Sequence, residues 1–290
     1  MTLLALIQSS SLAFSLLAAI FGLIVGSFLN VVIHRTPIVL MRNWQRDCQE
    51  LTGPAEHIAS HEKFNLITPR SRCPHCGHAI SALENIPVLS YLWLRGKCSA
   101  CRKPISPRYP FVEILSAMLA AVAAWHFGFN AAGIAAIVLT WLLIALVFID
   151  IDHMLLPDVM VLPFLWVGLL LNLFNVFTPL PQAVVGAVAG YLSLWLVFQV
   201  FKLITGKEGM GYGDFKLFAL FGAWFGWQSL PLIILLASFI GALIGIGLIV
   251  FQGRDRAKPL PFGPYLAAAG WVAMLWGDEI TRHYLQLARL

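Results

Sequence analysis

The sequence predicts an all-α polytopic membrane protein of about eight transmembrane helices, with one polar insert between the first and second helices. Composition is the first observation: of 290 residues, 59% are hydrophobic and 11% are charged. A soluble domain carries about 25% charged residues, so this chain has too few for a fully water-exposed surface. The second observation is a series of uncharged apolar runs near the length that crosses a bilayer. The third is the concentration of basic residues in the insert, at 34–110.

The predicted spans follow the apolar runs in chain order. We expect the first run to be retained rather than cleaved as a signal peptide, because "MTLLALIQSS" has no basic residue and no small-residue cleavage site follows it. Three domains are predicted: the first transmembrane helix at 1–33, the insert at 34–110 and a membrane-embedded domain at 111–290. The spans themselves are expected at 11–33, 111–127, 131–150, 158–177, 183–204, 215–229, 231–251 and 262–280.

The distribution of charge predicts the orientation of the chain. The connections "HFGFN", "VFTPLPQ" and "GWQSLP" contain no Lys, Arg, Asp or Glu, whereas the insert is rich in Lys and Arg. Cytoplasmic loops of membrane proteins are enriched in these basic residues. We therefore expect a cytoplasmic insert and both termini outside. Membrane lipid, and not nucleic acid, is the expected partner of the basic residues.

Four cysteines of the insert form two closely spaced pairs, Cys73 with Cys76 in "CPHCG" and Cys98 with Cys101 in "CSAC". Each pair can place two sulfurs on one metal ion, and two pairs complete a tetrahedral site. Two disulfides or four ordinary thiols are the alternative, which a cytoplasmic location disfavours. The pattern predicts a small zinc-binding domain with one structural zinc ion, since four sulfurs leave no open coordination position.

Two acids stand at the ends of predicted spans, on the same side of the membrane. Asp150 falls in the last turn of the third span, and Asp214 lies after "GMGYG", just before the sixth. Two crossings separate them, so both are expected at the cytoplasmic face. A carboxylate in a membrane helix is costly, about 2.5–3.5 kcal/mol at mid-membrane, and marks a functional site by default. The alternative for Asp214 is a helix N-cap.

The expected pairing of these acids predicts a reaction. Two carboxylates that share a site do not both ionise easily, so one keeps a proton. The ionised carboxylate can take a proton from water while the other polarises a carbonyl, which is aspartic-protease chemistry. Gly211 and Gly213 would let the backbone approach an extended substrate. The segment "PFGPYL" at 261–266 would place irregular backbone beside the site, with an ordinary helix start as the alternative.

Seven segments in order resemble the type IV prepilin peptidases, which are bifunctional inner-membrane enzymes of bacteria in the G-x-G-D class of aspartyl proteases. The resemblance covers nearly the whole chain. The segments are "GSFLNVVIHRTP", "SRCPHCG", "NIPVLSYLWLRGKC", "ISPRYPFVE", "FIDIDHMLLPD", "GMGYGDFKL" and "PFGPYL".

The resemblance implies cleavage of type IV prepilins and type II secretion pseudopilins at the cytoplasmic membrane face, after a glycine. It implies that the same enzyme then methylates the new N-terminal amine, using S-adenosylmethionine. The catalytic aspartates carry over to Asp150 and Asp214. Because "FIDIDH" contains two acids, Asp152 is the second candidate for the first position.

The same resemblance gives expected roles to other polar residues. Asp152 and Asp158 would attract the basic leader of a prepilin, although ordinary solvated acids are the alternative. The insert would be the methyltransferase-associated domain, but no G-x-G-x-x-G motif indicates an ordinary nucleotide fold. For the basic residues of the insert, plain positive-inside charge or contact with lipid phosphates is the alternative. The methyl-transfer candidates are Glu84, Asn85, Arg95, Lys97, Arg108 and Tyr109.

Two other classes of function compete with a peptidase. An ion-coupled transporter also keeps acids on membrane helices, but it would arrange them through the bilayer rather than at one face. A membrane scaffold could use the zinc-binding insert to dock a partner. Incubation of the purified protein with a prepilin separates the three, since only a peptidase shortens it.

Overall fold

A computed structural model of the chain describes residues 8, 10–52, 64–252 and 260–287. Across these ranges the protein is helical without a β-strand, and each predicted span corresponds to one helix. The predicted all-α membrane fold is therefore confirmed. The start of the chain, which the sequence predicts to be retained rather than cleaved as a signal peptide, lies largely outside the described residues. With one short helix in the insert, the helices are α1 Ser11–Thr52, α2 Leu89–Trp93, α3 Arg108–Phe127, α4 Ala131–His153, α5 Asp158–Asn172, α6 Leu180–Thr205, α7 Tyr212–Phe225, α8 Leu230–Gln252 and α9 Gly263–Leu287.

Helix length and hydropathy support a multi-pass membrane protein. Five of the described helices are long and apolar enough to cross a membrane, and α5 is apolar but shorter. Helix α7 has 14 residues, or about 21 Å, which is less than the roughly 30 Å of a hydrocarbon core. Its side chains are almost all buried by neighbouring helices. The five helices are Ser11–Leu51, Arg108–Phe127, Ala131–His153, Leu180–Thr205 and Trp227–Phe251.

The first helix is longer than its apolar run. The predicted span ends at 33, but α1 continues to Thr52 with Pro37 inside it. A proline removes one backbone hydrogen bond and kinks a helix, yet it need not end one. The first part of the insert is therefore helical and extends α1 beyond the predicted span.

The chain divides into two compact units, Met1–Phe129 and Asn130–Leu290. In the first unit, α1 packs along α3. A glycine permits this close approach, because a Cβ atom added at Gly26 would lie 2.7 Å from the Cα atom of Glu113. Membrane helices commonly associate through such small residues.

Helix α7 is the centre of the second unit, where α5, α6 and α9 pack around it. Gly186 of α6 and Gly222 of α7 bring the two backbones into direct contact. Trp224 Nε1 donates a hydrogen bond to the Phe164 carbonyl of α5 at 2.8 Å. The buried Asn172 amide donates to two carbonyls at the end of α7, each at 2.9 Å. These contacts fix α7 against its neighbours.

Helix α9 connects α4 with α7. Trp271 Nε1 donates to Thr140 Oγ1 of α4 at 3.0 Å. Gly270 packs directly on the Phe221 ring of α7. The first residue of α9 is Gly263, and these contacts bring it beside the end of α4.

Candidate active site and metal centre

Asp150 and Asp214 come together in the second unit. Asp150 lies in the last turn of α4, which ends where Met154 adopts a left-handed conformation. Asp214 lies in the first turn of α7. Both side chains are buried, with 5% and 7% of their surfaces exposed. The two carboxyl groups are close enough to interact electrostatically, so the structure pairs the acids that the sequence places two crossings apart.

Each carboxyl group faces a backbone N–H from a glycine. Gly263 provides this N–H to Asp150, and Gly211 provides it to Asp214. The Oδ2 atom of Asp150 is buried and accepts no hydrogen bond from any described residue. Buried polar atoms without a partner are uncommon, and such an atom commonly marks a functional site.

Leu156 packs against both Gly213, which is next to Asp214, and Gly263, which contacts Asp150. A Cβ atom added at Gly213 would lie 2.7 Å from Leu156 Cβ, and one added at Gly263 would lie 3.2 Å from Leu156 Cδ1. The same atom at Gly263 would lie 2.6 Å from Asp150 Oδ2. Leu156 is buried in the connection between α4 and α5. Gly213 therefore serves the packing that sets the distance between the two acids.

We expect Gly263→Ala to lower the leader cleavage that the resemblance implies by about 10- to 100-fold, because the added methyl group displaces the Asp150 carboxyl, and small misplacements carry costs of this size. Gly277→Ala is the matched control in the same helix, since its Cβ atom would have only ordinary contacts, at 3.7 Å and beyond. The initial rate of prepilin shortening measures both variants. Equal loss of activity in both would contradict a specific effect on Asp150.

The other acids near the dyad are exposed. Asp152 lies on the surface of the last turn of α4. Asp158 begins α5 and forms an ion pair with Lys216 of α7, at 2.6 Å. Gly211 precedes α7, and a Cβ atom there would approach only Asp214 Oδ2, at 3.7 Å. The burial of Asp150 favours it over Asp152 as the partner of Asp214, and open space at Gly211 leaves room for a substrate backbone.

The four paired cysteines form a second site, in the first unit. Their sulfur atoms all lie within 4.8 Å of one another, so the cluster could hold a metal ion. Zinc–sulfur bonds of about 2.3 Å in a tetrahedron place sulfurs roughly 3.8 Å apart. The Sγ atoms of Cys73 and Cys101, which belong to different pairs, are 3.9 Å apart. The residues present therefore fit a tetrahedral metal site.

The two cysteine pairs lie on structurally repeated loops, a feature that the sequence analysis missed. In the first loop the Cys73 N–H donates to the His78 carbonyl, and the Cys73 carbonyl accepts from the Gly77 N–H. The second loop has the same two hydrogen bonds, from the Cys98 N–H to the Lys103 carbonyl and from the Arg102 N–H to the Cys98 carbonyl. Gly77 and Arg102 occupy equivalent positions, and both have positive φ. The loops 71–80 and 96–105 are offset by 25 positions (96 − 71). Alignment of "SRCPHCGHAI" on "GKCSACRKPI" would have revealed this repeat.

Hydrogen bonds support metal binding and join the two loops. The backbone N–H groups of His75 and Cys76 lower the pKa of the Cys73 thiol to about 6, which favours the thiolate that binds metals. Burial and the neighbouring thiols raise the pKa of the Cys76 thiol to about 11, so in this pair only Cys73 is shifted toward the thiolate. Glu84 accepts hydrogen bonds from Ser99 Oγ of the second loop and from the Ser81 N–H. The Ser99 hydroxyl is the largest cause of a lowered Glu84 pKa, about 2. Glu84 is therefore ionised at neutral pH.

A cavity of about 560 Å³ lies beside the cysteine loops, within the first unit. Its volume falls in the range of small-molecule sites. Three of the methyl-transfer candidates, Glu84, Asn85 and Tyr109, line it, together with Glu113, which was not among those candidates. Glu113 is a buried acid in an apolar helix, and that rarity was its sequence signal. Among the described residues, the lining does not include Arg95, Lys97 or Arg108.

Comparison with known proteins reveals two family matches. Residues 20–127 match the Bacterial Peptidase A24 N-terminal domain. Residues 137–246 match the Type IV leader peptidase family. The two matches together cover the cysteine loops and both buried aspartates. No solved structure matches the chain.

Curated relatives match over their full or nearly full lengths, and all three described here have the name prepilin leader peptidase/N-methyltransferase. The protein of Stutzerimonas stutzeri is 57% identical over 291 residues, which is 100% of both chains. That of Aeromonas hydrophila is 57% identical over 93% of both chains. That of Pseudomonas aeruginosa is 55% identical over 99% of both chains. The buried acid pair, the four-cysteine cluster and these identities establish that the chain belongs to the prepilin leader peptidase/N-methyltransferase family.

Proposed function

We propose that this protein cleaves the leader peptides of type IV prepilins and type II secretion pseudopilins, and then methylates the new N-terminal amine with S-adenosylmethionine. The buried pair of Asp150 and Asp214 is the observation that carries the peptidase assignment. Relatives at 55–57% identity carry both activities in their names. The buried acids lie at the ends of their helices and at one site, which favours this function over an ion-coupled transporter.

Cleavage in this proposal needs only the two acids and a water molecule. The ionised carboxylate takes a proton from water, whose oxygen attacks the scissile carbonyl carbon. The protonated carboxyl donates its hydrogen bond to the carbonyl oxygen as negative charge develops there. The carbon–nitrogen bond then breaks as a proton passes to the leaving amine. The buried Oδ2 atom of Asp150, which has no hydrogen-bond partner among the described residues, is a suitable acceptor for the proton of the attacking water.

The proposed location is the bacterial inner membrane, with the site facing the cytoplasm. Basic residues of the insert and the uncharged opposite connections support this orientation. A prepilin presents a basic leader and then a membrane helix, so its scissile bond lies at the same face. Asp152 is an exposed acid near the dyad and can attract the leader, whereas the charge of Asp158 is paired with Lys216. Lipid, and not nucleic acid, is the proposed partner of the basic residues.

Zinc is the metal that we propose for the four cysteines. A four-thiolate tetrahedron of this size suits Zn²⁺, and its role there is structural because no coordination position remains open. Zinc would hold the two repeated loops in their mutual arrangement. Because these loops line the cavity, the metal would also fix the shape of the cavity.

Methyl transfer is proposed to occur in that cavity. The free amine attacks the sulfonium methyl group, so a nitrogen–carbon bond forms as the sulfur–carbon bond breaks. Before this attack the acceptor ammonium must lose a proton, because only the neutral amine has a free electron pair. Glu113 is a buried carboxyl in the lining, and its Oε2 atom accepts the Val88 N–H at 2.7 Å. Glu84 is also in the lining, but donors from both cysteine loops already engage it. Glu113 is therefore the candidate for orienting the amine and receiving its proton.

Replacing Glu113 with glutamine tests this role. The amide oxygen can still accept the Val88 N–H, but the negative charge is lost. We expect methylation of a pre-cleaved pilin to fall at least about tenfold, a modest share of what acid–base groups contribute. Glu50→Gln, an exposed change in the extension of α1, is the matched control. Undiminished methylation by Glu113→Gln would remove Glu113 from the reaction.

A direct assay tests the proposed function as a whole. The purified protein, reconstituted in vesicles, is incubated with a prepilin and labelled S-adenosylmethionine. We expect a shortened product by mass, which then gains one methyl group. An unshortened prepilin would overturn the peptidase assignment, and a shortened but unlabelled product would overturn the methyltransferase assignment alone.

A further inference from the structure

The insert exposes a cluster of large apolar side chains. Leu83, Leu89, Leu92 and Trp93 are 75%, 65%, 65% and 89% exposed. They lie within residues 83–93, a stretch formed by the short 3-10 helix Leu83–Asn85, a connecting loop and α2. Apolar clusters of this kind on an otherwise polar domain mark surfaces that contact a protein or a membrane.

The position of this segment along α3 indicates its depth. Its Val88 N–H bonds to Glu113, five residues after Arg108, the first residue of α3. Five residues correspond to about 7.5 Å along a helix. With 20 residues, α3 is about 30 Å long and just matches a hydrocarbon core. The Val88 backbone therefore lies near the edge of the core, on the insert side.

Helix α1 gives the same depth independently. Ser27 Oγ lies 3.5 Å from Asn85 Oδ1 of the segment. Ser27 is six residues before the end of the predicted first span at 33 (33 − 27), or about 9 Å inside it. Gly26, its neighbour, packs on the Cα atom of Glu113. Both helices thus place residues 85–88 at one level, just within the bilayer boundary.

We infer that residues 83–93 form a membrane-interface anchor, in which the exposed leucines and Trp93 insert among the lipids of the leaflet on the insert side. Tryptophan is enriched at that level of a bilayer, because its ring is apolar and its N–H is polar. The exposed Arg95 and Lys97 follow at once, where they can contact anionic headgroups. A lipid partner accounts for both the apolar cluster and the adjoining charge, at a depth set by two helices.

The anchor explains how the methyl acceptor reaches the cavity. Asn85, Ser90, Tyr91 and Leu94 line the cavity and belong to the anchor or adjoin it. After leader removal the acceptor amine is the first group of a membrane helix, according to the proposed function, and it remains at the membrane surface. An anchored segment holds the cavity at that surface, so the amine need not leave the interface.

Photocrosslinking in vesicles tests the anchor with two exposed tryptophans of the same unit. Trp93 and Trp44 are replaced in turn by p-benzoyl-phenylalanine in the full-length protein. Trp44 is 50% exposed and lies eleven residues beyond 33, or about 16 Å further along α1, outside the lipid. After irradiation in phosphatidylethanolamine–phosphatidylglycerol vesicles, we expect at least about tenfold more lipid adduct at position 93 than at position 44. Retained leader cleavage shows that each variant is folded.

The alternative occupant is the prepilin itself. Irradiation is therefore repeated with an uncleaved prepilin in the vesicles. A persistent lipid adduct at position 93 supports the anchor. Equal lipid labelling at both positions, or replacement of the lipid adduct by a prepilin adduct, overturns it. The two outcomes that overturn the anchor leave the proposed function unaffected, because cleavage and methylation are measured separately on the same samples.

Discussion

Asp150→Asn and Asp214→Asn are each expected to lower leader cleavage by at least about 1000-fold, within the range that acid–base groups contribute to catalysis. Asparagine keeps the size of the side chain but cannot exchange a proton with water or with the other acid. Because both acids are buried at one site, bulk water does not take over the proton transfers of a missing carboxyl group. The measurement is the rate of prepilin shortening by variants reconstituted at equal amounts in vesicles.

Asp152→Asn is the matched control for this prediction. It makes the same chemical change two positions away, at an exposed residue, and we expect it to retain most of the cleavage rate. The dyad variants should still methylate a pre-cleaved pilin, because the cavity belongs to the other compact unit. Full cleavage by Asp150→Asn, together with loss in Asp152→Asn, would assign the dyad to Asp152 instead.

Loss of any one paired cysteine is expected to abolish binding of the zinc ion that we propose for this cluster. Binding of structural zinc by four ligands contributes roughly 10–16 kcal/mol to the free energy of folding of a site. A variant that no longer binds the ion loses this contribution. Cys98→Ser should therefore reduce the zinc content from one ion per chain to almost none, and methylation should fall with it. Cys48→Ser is the control, since Cys48 is an exposed cysteine outside the cluster and should leave both unchanged.

Metal analysis of the purified variants, alongside methylation of a pre-cleaved pilin, checks this prediction. Remaining leader cleavage by Cys98→Ser would show that the second unit is folded. Full methylation by a zinc-free variant would contradict a role of the metal in shaping the cavity. An unchanged zinc content in Cys98→Ser would contradict the four-cysteine site itself.

Most of the fold could be predicted because apolar runs of bilayer length specify membrane helices directly. Two departures have physical reasons. Helix α1 continues past its apolar run, because a helix does not have to end where the membrane does. Helix α7 is too short to span the core by itself, and contacts such as Gly222 on Gly186 bury it inside the unit. Length alone does not reveal burial by neighbouring helices.

The candidate site was predictable only in part. Asp150 and Asp214 could be paired because the topology returns them to the same face. The Gly263 contact with Asp150, and the position of Leu156 between the two halves, depend on packing across three helices. No local pattern encodes such contacts. Glu113 was visible as an acid in an apolar helix, but its partner Val88 lies 25 positions away (113 − 88).

A structure of the enzyme with a peptide that carries a hydroxyl in place of the scissile carbonyl tests the central claim most directly. The measurement is the pair of distances from this hydroxyl oxygen to the carboxyls of Asp150 and Asp214. We expect a carboxyl oxygen of each residue within about 3 Å, as hydrogen bonds require. A hydroxyl that contacts only one of the two, with the other beyond hydrogen-bonding reach, would contradict a shared two-aspartate site.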